Sequence, residues 1–365
     1  MSSWSTRSSR RKTPTTSSLP HDLLRNVLSR LPTISLLKLR SVCREWRDII
    51  DHPHFAAMHA ASSAESPRIV LLSEPSSDAE PPRFMVDDEF LVTSLPELAA
   101  RPWVNAAGAS CHGLFCFQDI RDGTTYLLNP LTQEIVPLPS FDRLGEGWYL
   151  FTIGIGASRL TSQYKIVRLS CLNETAAPSY RADVLDQGSR SWRNIASVPS
   201  GIFLRDPVFV AGSIHWRDLR GDGVVRITSF DVAEEEFTPT PCPELQDAHL
   251  VDLQGALGLV DCSREERMDV WVMEEESGRW TKEYSVRLIP PMPKGTHWCL
   301  DVRGCGGRKM VLSCMDSFWF YDLATGERKY VHKAGAWPAR AIRSITVSLL
   351  SPAKLWNSGG QENVF

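Results

Sequence analysis

The 365-residue chain lacks an excess of charge of either sign: 40 Lys and Arg face 43 Asp and Glu, for a net charge of −3. A dedicated nucleic-acid binder usually carries a basic surplus, so the balance disfavours that class. Also missing is any apolar run near the ~20 residues that a membrane-spanning helix needs. The first residues hold no apolar signal-peptide core. The nine cysteines are scattered and odd in number, without a Cys-x-x-Cys pair. Free thiols in a reducing compartment, cytoplasmic or nuclear, are therefore expected. What is present is ordinary for a folded chain, with 42% hydrophobic and 23% charged residues and length for two domains or one large one.

The most patterned stretch is residues 19–55, SLPHDLLRNVLSRLPTISLLKLRSVCREWRDIIDHPHF once Ser18 is included. Leu23, Leu24, Val27, Leu28 and Leu31 form one amphipathic stripe at helical spacing. Pro20 suits the first turn of that helix, where a missing N–H costs nothing, and Pro32 ends it. Ser35 is an expected N-cap for a second helix carrying Leu36, Leu37 and Leu39. Val42, Cys43, Trp46, Ile49 and Ile50 supply the apolar side of a third. So small a unit cannot bury this much apolar surface alone, so some of it must face a partner or the rest of the chain.

The order Leu-Pro, Leu-Leu, Val-Leu, Arg-Leu-Pro, Leu-Leu, Leu-Arg, Val-Cys-Arg-x-Trp resembles the F-box along its whole length. The resemblance implies docking on a Skp-type adaptor, and through it on a cullin-based ubiquitin ligase, while the rest of the chain selects a target. It implies adaptor contacts by Leu19, Pro20, Leu23, Leu24, Leu28, Leu31 and Pro32. Val27, Leu36, Leu39, Val42, Cys43 and Trp46 are then expected to hold the helices together, with Trp46 facing inward.

The expected domain map is a disordered, basic, Ser/Thr-rich tail over 1–18, a helical unit over 19–59 and a linker over 60–67. A β-domain follows over 68–350, then a flexible tail over 351–365. The tail assignments rest on polar composition that cannot bury enough to fold. From residue 68 the helical stripe gives way to short apolar or alternating runs punctuated by Gly, Pro, Asn and Asp. Candidate strands include Arg68–Leu72, Gly113–Phe117, Thr125–Leu128, Leu150–Ile155, Tyr164–Leu169, Ala182–Asp186 and Val208–Val210. Further ones are Ser213–Trp216, Arg226–Phe230, Ala256–Val260, Met268–Met273, Lys309–Cys314, Phe318–Tyr321 and Ile342–Leu349.

Hairpins recur at Tyr126–Pro139, Ala182–Ile195, Ile227–Pro241, Asp269–Tyr284 and Phe318–Val331, at a spacing close to the roughly 50-residue period of kelch blades. Five such groups and one more made from the two ends predict six blades, the last pairing Ile342–Leu349 with the strands near Arg68–Leu72 and Phe84–Val86. Closing the ring this way removes long sheet edges. The expected fold class is thus α+β in two domains, a small three-helix unit followed by a six-bladed, kelch-like β-propeller.

Ser-Cys-His-Gly-Leu at 110–114, Asn-Pro-Leu-Thr at 129–132, Tyr-Lys-Ile-Val at 164–167 and Ser-Trp-Arg at 191–193 continue the argument. Val-Ala-Gly-Ser-Ile-His-Trp at 210–216, Ser-Phe-Asp at 229–231 and Asp-Val-Trp-Val-Met at 269–273 complete the series. In this order they resemble the F-box-associated domain of large plant families. The double glycine of the true kelch motif does not recur, hence kelch-like.

Catalytic and metal chemistry finds little support. His52, His54 and His59 mimic ligand spacing, without the Cys or acidic partner that zinc needs. Cys111 beside His112 is better read as a buried strand residue than as a nucleophile. Gly154 and Gly156 lack the third glycine and the helix of a dinucleotide site. The acidic runs Glu234–Glu236 and Glu274–Glu276 read as solvated turns, or as a rim that steers a basic target. The tryptophans within strands and hairpins are expected mainly as wedges between blades. The resulting expectation is a non-catalytic receptor with no cofactor and no metal, bound to a Skp-type adaptor and an unknown target, and to neither nucleic acid nor membrane. The alternatives are an adaptor-bound scaffold without a degradation target, and a propeller that binds a small molecule or glycan.

Overall fold

Two prolines set the first helices. In the computed structural model, Pro20 and Pro32 both sit extended, and their carbonyls accept the first helical N–H groups, from Leu24 at 3.0 Å and Leu36 at 3.1 Å. Helix α1 (His21–Leu28) therefore follows Pro20, and α2 (Thr33–Leu39) follows Pro32. Pro32, not Ser35, is the N-cap residue of α2, because a carbonyl can open a helix even where the residue has no N–H. Helices α3 (Arg44–Ile50) and α4 (Pro53–Ser62) complete the unit, so it has four helices where three were expected. Helix α4 also takes up the first residues of the expected 60–67 linker. The structure describes residues 20–62, 68–73, 83–86, 93–94, 108–118, 124–140, 148–172, 179–198, 207–219, 223–246, 248–288, 300–304, 309–314, 317–332, 339–345 and 348–357. The expected 1–18 tail lies outside them.

Most of the remaining described residues form antiparallel sheet. Three early strands, β1 (Arg68–Ser73), β2 (Arg83–Val86) and β3 (Thr93–Ser94), precede five meanders of four consecutive strands. Blade I is β4 (Gly108–Cys111), β5 (Leu114–Gln118), β6 (Thr125–Asn129) and β7 (Glu134–Pro137). Blade II is β8 (Trp148–Ala157), β9 (Tyr164–Leu172), β10 (Ser179–Asp186) and β11 (Arg193–Ile195). Blade III is β12 (Val208–Val210), β13 (Ser213–Leu219), β14 (Val225–Asp231) and β15 (Phe237–Thr240). Blade IV is β16 (Ala248–Leu253), β17 (Ala256–Arg264), β18 (Arg267–Met273) and β19 (Trp280–Arg287). Blade V is β20 (Leu300–Gly304), β21 (Lys309–Cys314), β22 (Ser317–Asp322) and β23 (Arg328–His332). The last strand, β24 (Ala339–Ile345), pairs antiparallel with β1 and makes a composite sheet in the order β24-β1-β2-β3. Against the six blades expected, the chain thus has five contiguous blades and one composite sheet joining its two ends.

The middle strands of blade I are buried on both faces, with all five residues of β5 and of β6 buried. Outer strands such as β11 and β19 are mostly exposed or half-buried. The first hairpins of blades I, III and IV share one device. His112-Gly113, Ala211-Gly212 and Gln254-Gly255 each hold two consecutive residues at positive φ, between strands paired right up to the turn. Two central residues at positive φ mark a type I′ turn, whose twist matches that of the strands, and glycine takes the second position without a Cβ clash.

Of the expected flexible tail over 351–365, residues 358–365 lie outside the described residues, and only the first part is corrected, by helix α5 (Pro352–Asn357). Its Trp356 is only 6% exposed and joins a single buried cluster with Leu24, Leu28, Leu36, Ile49 and Ile50 of the helical unit and Leu127 and Leu138 of blade I. Polar composition concealed it, because one buried indole anchors a helix too short to show a periodic stripe.

Candidate functional site

Adjacent leucines on α1 meet different surroundings. Leu24 and Leu28, four apart, are 4% and 1% exposed, whereas Leu23 and Val27, also four apart, are 56% and 54% exposed. Residues at i and i+4 share a helix face, so α1 has one stripe inside the protein and a second in water. Pro20 and Pro32 are exposed, and Leu31 is half-buried against the core. Leu19 lies outside the described residues.

This revises the expected roles. Leu24 and Leu28 are core residues of this chain, not free docking residues. Val27 and Val42, expected in the core, are exposed, Val42 at 60%, and Cys43 is exposed too. Leu36 is fully buried, and Leu39 and Trp46 are half-buried against the same cluster, in keeping with a holding role. The turn between α2 and α3 carries Val42 outward, since its N–H already closes on the Leu39 carbonyl at 3.0 Å. In the same turn Arg40, the C-cap residue of α2, donates through its guanidinium to the carboxylate of Asp51, the C-cap residue of α3, at 2.9 Å.

The histidines of 52–59 serve local structure. The His52 Nδ1 accepts the His54 backbone N–H at 3.2 Å, while His59 is buried with Nε2 2.9 Å from the Leu31 carbonyl oxygen. Among the described residues no group of three or more His, Cys, Asp or Glu is placed to hold a metal. Burial pushes the Cys111 thiol well above its ordinary value, the opposite of an activated nucleophile. His112 puts Nδ1 3.1 Å from the Tyr164 hydroxyl and stacks edge-on against Phe209. Burial lowers its pKa.

The Gly154-x-Gly156 stretch has a packing cause. A Cβ at Gly154 would lie 2.8 Å from the Trp216 ring, and one at Gly156 would lie 2.8 Å from both Phe209 and Val232. These glycines let β8 press against blade III. Trp216 is wholly buried there and donates to the Thr152 hydroxyl at 3.3 Å. Trp192 and Trp280 repeat one contact, each indole N–H donating to a proline carbonyl at the end of the preceding blade, Pro139 at 2.9 Å and Pro241 at 2.7 Å. The expectation of tryptophan wedges is met at these positions.

Each acidic run spends its middle residue between blades. Glu235 accepts from Arg193, at 2.7 Å through Nη1, and from Lys165, tying blade III to blade II; Glu275 pairs with Arg159. Glu234, Glu236, Glu274 and Glu276 remain exposed. A cavity of about 290 Å³ opens where blades I and II meet α5, lined by Pro137, Leu138, Pro139, Gly188, Ser189, Arg190 and Trp356. Arg190 is its one titratable group, so the lining offers no acid–base pair.

Comparison with known proteins agrees with this division. Residues 16–57 match the F-box domain, and residues 60–305 match the F-box associated beta propeller domain. An F-box/kelch-repeat protein of Arabidopsis thaliana is 27% identical over 360 residues, covering 92% of this chain and 96% of its own length. An F-box/LRR-repeat protein of the same plant is 30% identical over 294 residues, 73% of this chain and 67% of that one. A third Arabidopsis F-box protein is 27% identical over 329 residues, 78% and 76% of the two chains. Proteins of this family are in general substrate adaptors and not enzymes. The chain belongs to the F-box proteins whose second domain is the F-box-associated β-propeller.

Proposed function

We propose that this chain is the substrate-recognition subunit of a Skp–cullin–F-box ubiquitin ligase. The observation that carries the reading is the unpartnered apolar stripe of Leu23 and Val27 on α1, with Pro20, Pro32 and Val42 also exposed on the same small unit. Such side chains cost free energy in water and match the apolar centre of a protein interface, where a helix face enters a groove. Leu24 and Leu28 hold α1 at its angle from beneath.

The β-domain presents turns to a target protein. Transfer then needs no catalytic group on this chain, because holding target lysines near a charged conjugating enzyme raises their effective concentration. Work of this kind belongs in the cytoplasm or nucleus. The test is co-purification with a Skp-type adaptor, comparing wild type with Leu23→Asp/Val27→Asp, circular dichroism confirming that both are folded. Capture by wild type and loss in the folded double variant is the expected result. Failure of wild type to bind, or full binding by the variant, would sink the reading.

A further inference from the structure

Equivalent turns in three blades begin with an Asn or Asp that caps the turn through its Oδ1. In blade III, Asp231 accepts the Ala233 and Glu234 N–H groups at 2.8 and 2.9 Å. In blade V, Asp322 accepts those of Ala324 and Thr325 at 2.9 and 3.1 Å. In blade I the residue is Asn129, the first of the Asn-Pro-Leu-Thr motif, and its Oδ1 accepts the N–H groups of Leu131 and Thr132 at 2.9 and 3.3 Å. A carboxylate does this job as well as an amide, so the turn alone does not account for asparagine.

The amide nitrogen accounts for it. The Nδ2 of Asn129, fully buried, donates to the carbonyls of Ser348 and Leu350 at 3.0 and 2.8 Å. From there the chain runs directly into α5. Ser351 bonds to Glu134 of β7, and its Oγ also accepts the Lys354 N–H at 3.2 Å. Lys354 extends its ammonium to the Asp51 carbonyl, 2.6 Å away at the C-terminal end of α3. Leu350 and Trp356, 1% and 6% exposed, pack in the cluster shared by the helical unit and blade I.

We infer that Asn129 is a positioning residue, and that Ser348–Asn357 is a strut that fixes the F-box helices at one angle on blade I. One end of the strut is held by two bonds to a buried amide, the other by an ion-to-carbonyl bond and an indole. Short connections with buried anchors at both ends resist the relative motion that is otherwise the default between domains. The consequence for ligation rests on the function proposed above: the strut sets how far a bound target stands from the adaptor.

The conservative variant separates the two jobs of Asn129. Asn129→Asp keeps the Oδ1 acceptor and places a carboxylate against two carbonyl oxygens in a buried site. Hydrogen exchange on the full chain is expected to quicken at least tenfold in 348–357 and in α3, while blades II–V keep wild-type rates. Small-angle scattering should show a larger radius of gyration. Trp356→Ala leaves the turn untouched and should reproduce the pattern, and Asp322→Asn in blade V should change nothing. Unchanged exchange in 348–357 in both Asn129→Asp and Trp356→Ala would overturn the strut, as would acceleration spread evenly over all blades. Adaptor capture is measured in parallel and should persist in Asn129→Asp. If wild type itself fails to capture the adaptor, the proposed function falls, and the exchange data still judge the strut.

Discussion

The helical unit and the β-domain treat apolar side chains differently. Among the described residues, the large exposed hydrophobics are Leu23, Val27 and Val42 in the small helical unit and Leu160 and Val198 in the much longer β-domain. A propeller stacks blade on blade, so its faces have neighbours, and Trp192, Trp216 and Trp280 each find an acceptor on the adjoining blade. A unit of four short helices has one face to spend on the core and another left over. The difference teaches that, among the described residues, the first region leaves an apolar stripe uncovered by its own chain, and the second covers most of its own apolar surface.

The largest predicted effect tests the second half of that statement. Trp216→Ala removes a wholly buried indole wedged against Gly154 and should destabilise the protein by about 3–5 kcal/mol, read as a lower denaturant midpoint. Leu24→Ala, in the helical unit but inside the shared core, should cost about 2–5 kcal/mol. If Leu24→Ala proved silent, the helical unit would not share a core with the blades and the contrast would need redrawing.

Next comes acid. His215 sits buried in the Ile-His-Trp segment, with Nδ1 2.6 Å from the Ser229 hydroxyl and Nε2 facing the Val210 carbonyl at 3.3 Å. Burial pushes its pKa down to about 4. The unfolded chain, with an ordinary value of about 6.5, therefore binds a proton that the folded one refuses. Stability is full above about pH 6.5 and falls as the pH drops towards 4, by roughly 3 kcal/mol over the window. His215→Phe should flatten that part of the stability–pH curve, and an unchanged slope would show that the ring is not held neutral.

Glu235 should act at lower pH and more weakly. Its hydrogen bond from Arg193, with a further one from Lys165, holds its carboxyl down at about 2. The pair contributes above the ordinary carboxylate value, and its contribution is lost as the pH falls from about 4.5 towards 2. Arg193 is 42% exposed on its side chain, so solvent screening limits the gain to about 1 kcal/mol or less. The gap in urea midpoint between wild type and Glu235→Gln should close across that window. A gap independent of pH would assign the blade II–III tie to packing instead.

Much of the β-domain was legible in the sequence. Val208–Val210 and Lys309–Cys314 are strands to the residue, and the closing of the two ends follows the expected pairing of the last strand with Arg68–Leu72. The innermost strands β4, β16 and β20 escaped notice. Gly108–Cys111 is short and nearly featureless, and Ala248–Leu253 places His249 and Asp252 among its apolar residues, which blurs the alternation. A repeated signal was available in the residue-plus-glycine turns at 112–113, 211–212 and 254–255. It differs from the double glycine of a kelch blade, because only the second turn position needs to be glycine.

The exposed pair Leu23 and Val27 was legible only as part of a stripe. Leu23 and Leu24 lie about 100° apart around a helix, and both belong to any stripe drawn from apolar spacing. Which of them faces the core depends on where α5 and blade I sit, and no local pattern encodes that. The smallest predicted effect addresses this directly. Leu23→Ala should change stability by no more than about 0.5 kcal/mol, since the side chain is already in water, in contrast to the cost at its neighbour Leu24. A silent Leu23→Ala that nonetheless weakens adaptor capture would show that the exposed stripe is kept for a partner. A destabilisation matching that of Leu24→Ala would mean that α1 is rotated in solution, with Leu23 in the core, and the two regions would then no longer differ in how they bury their leucines.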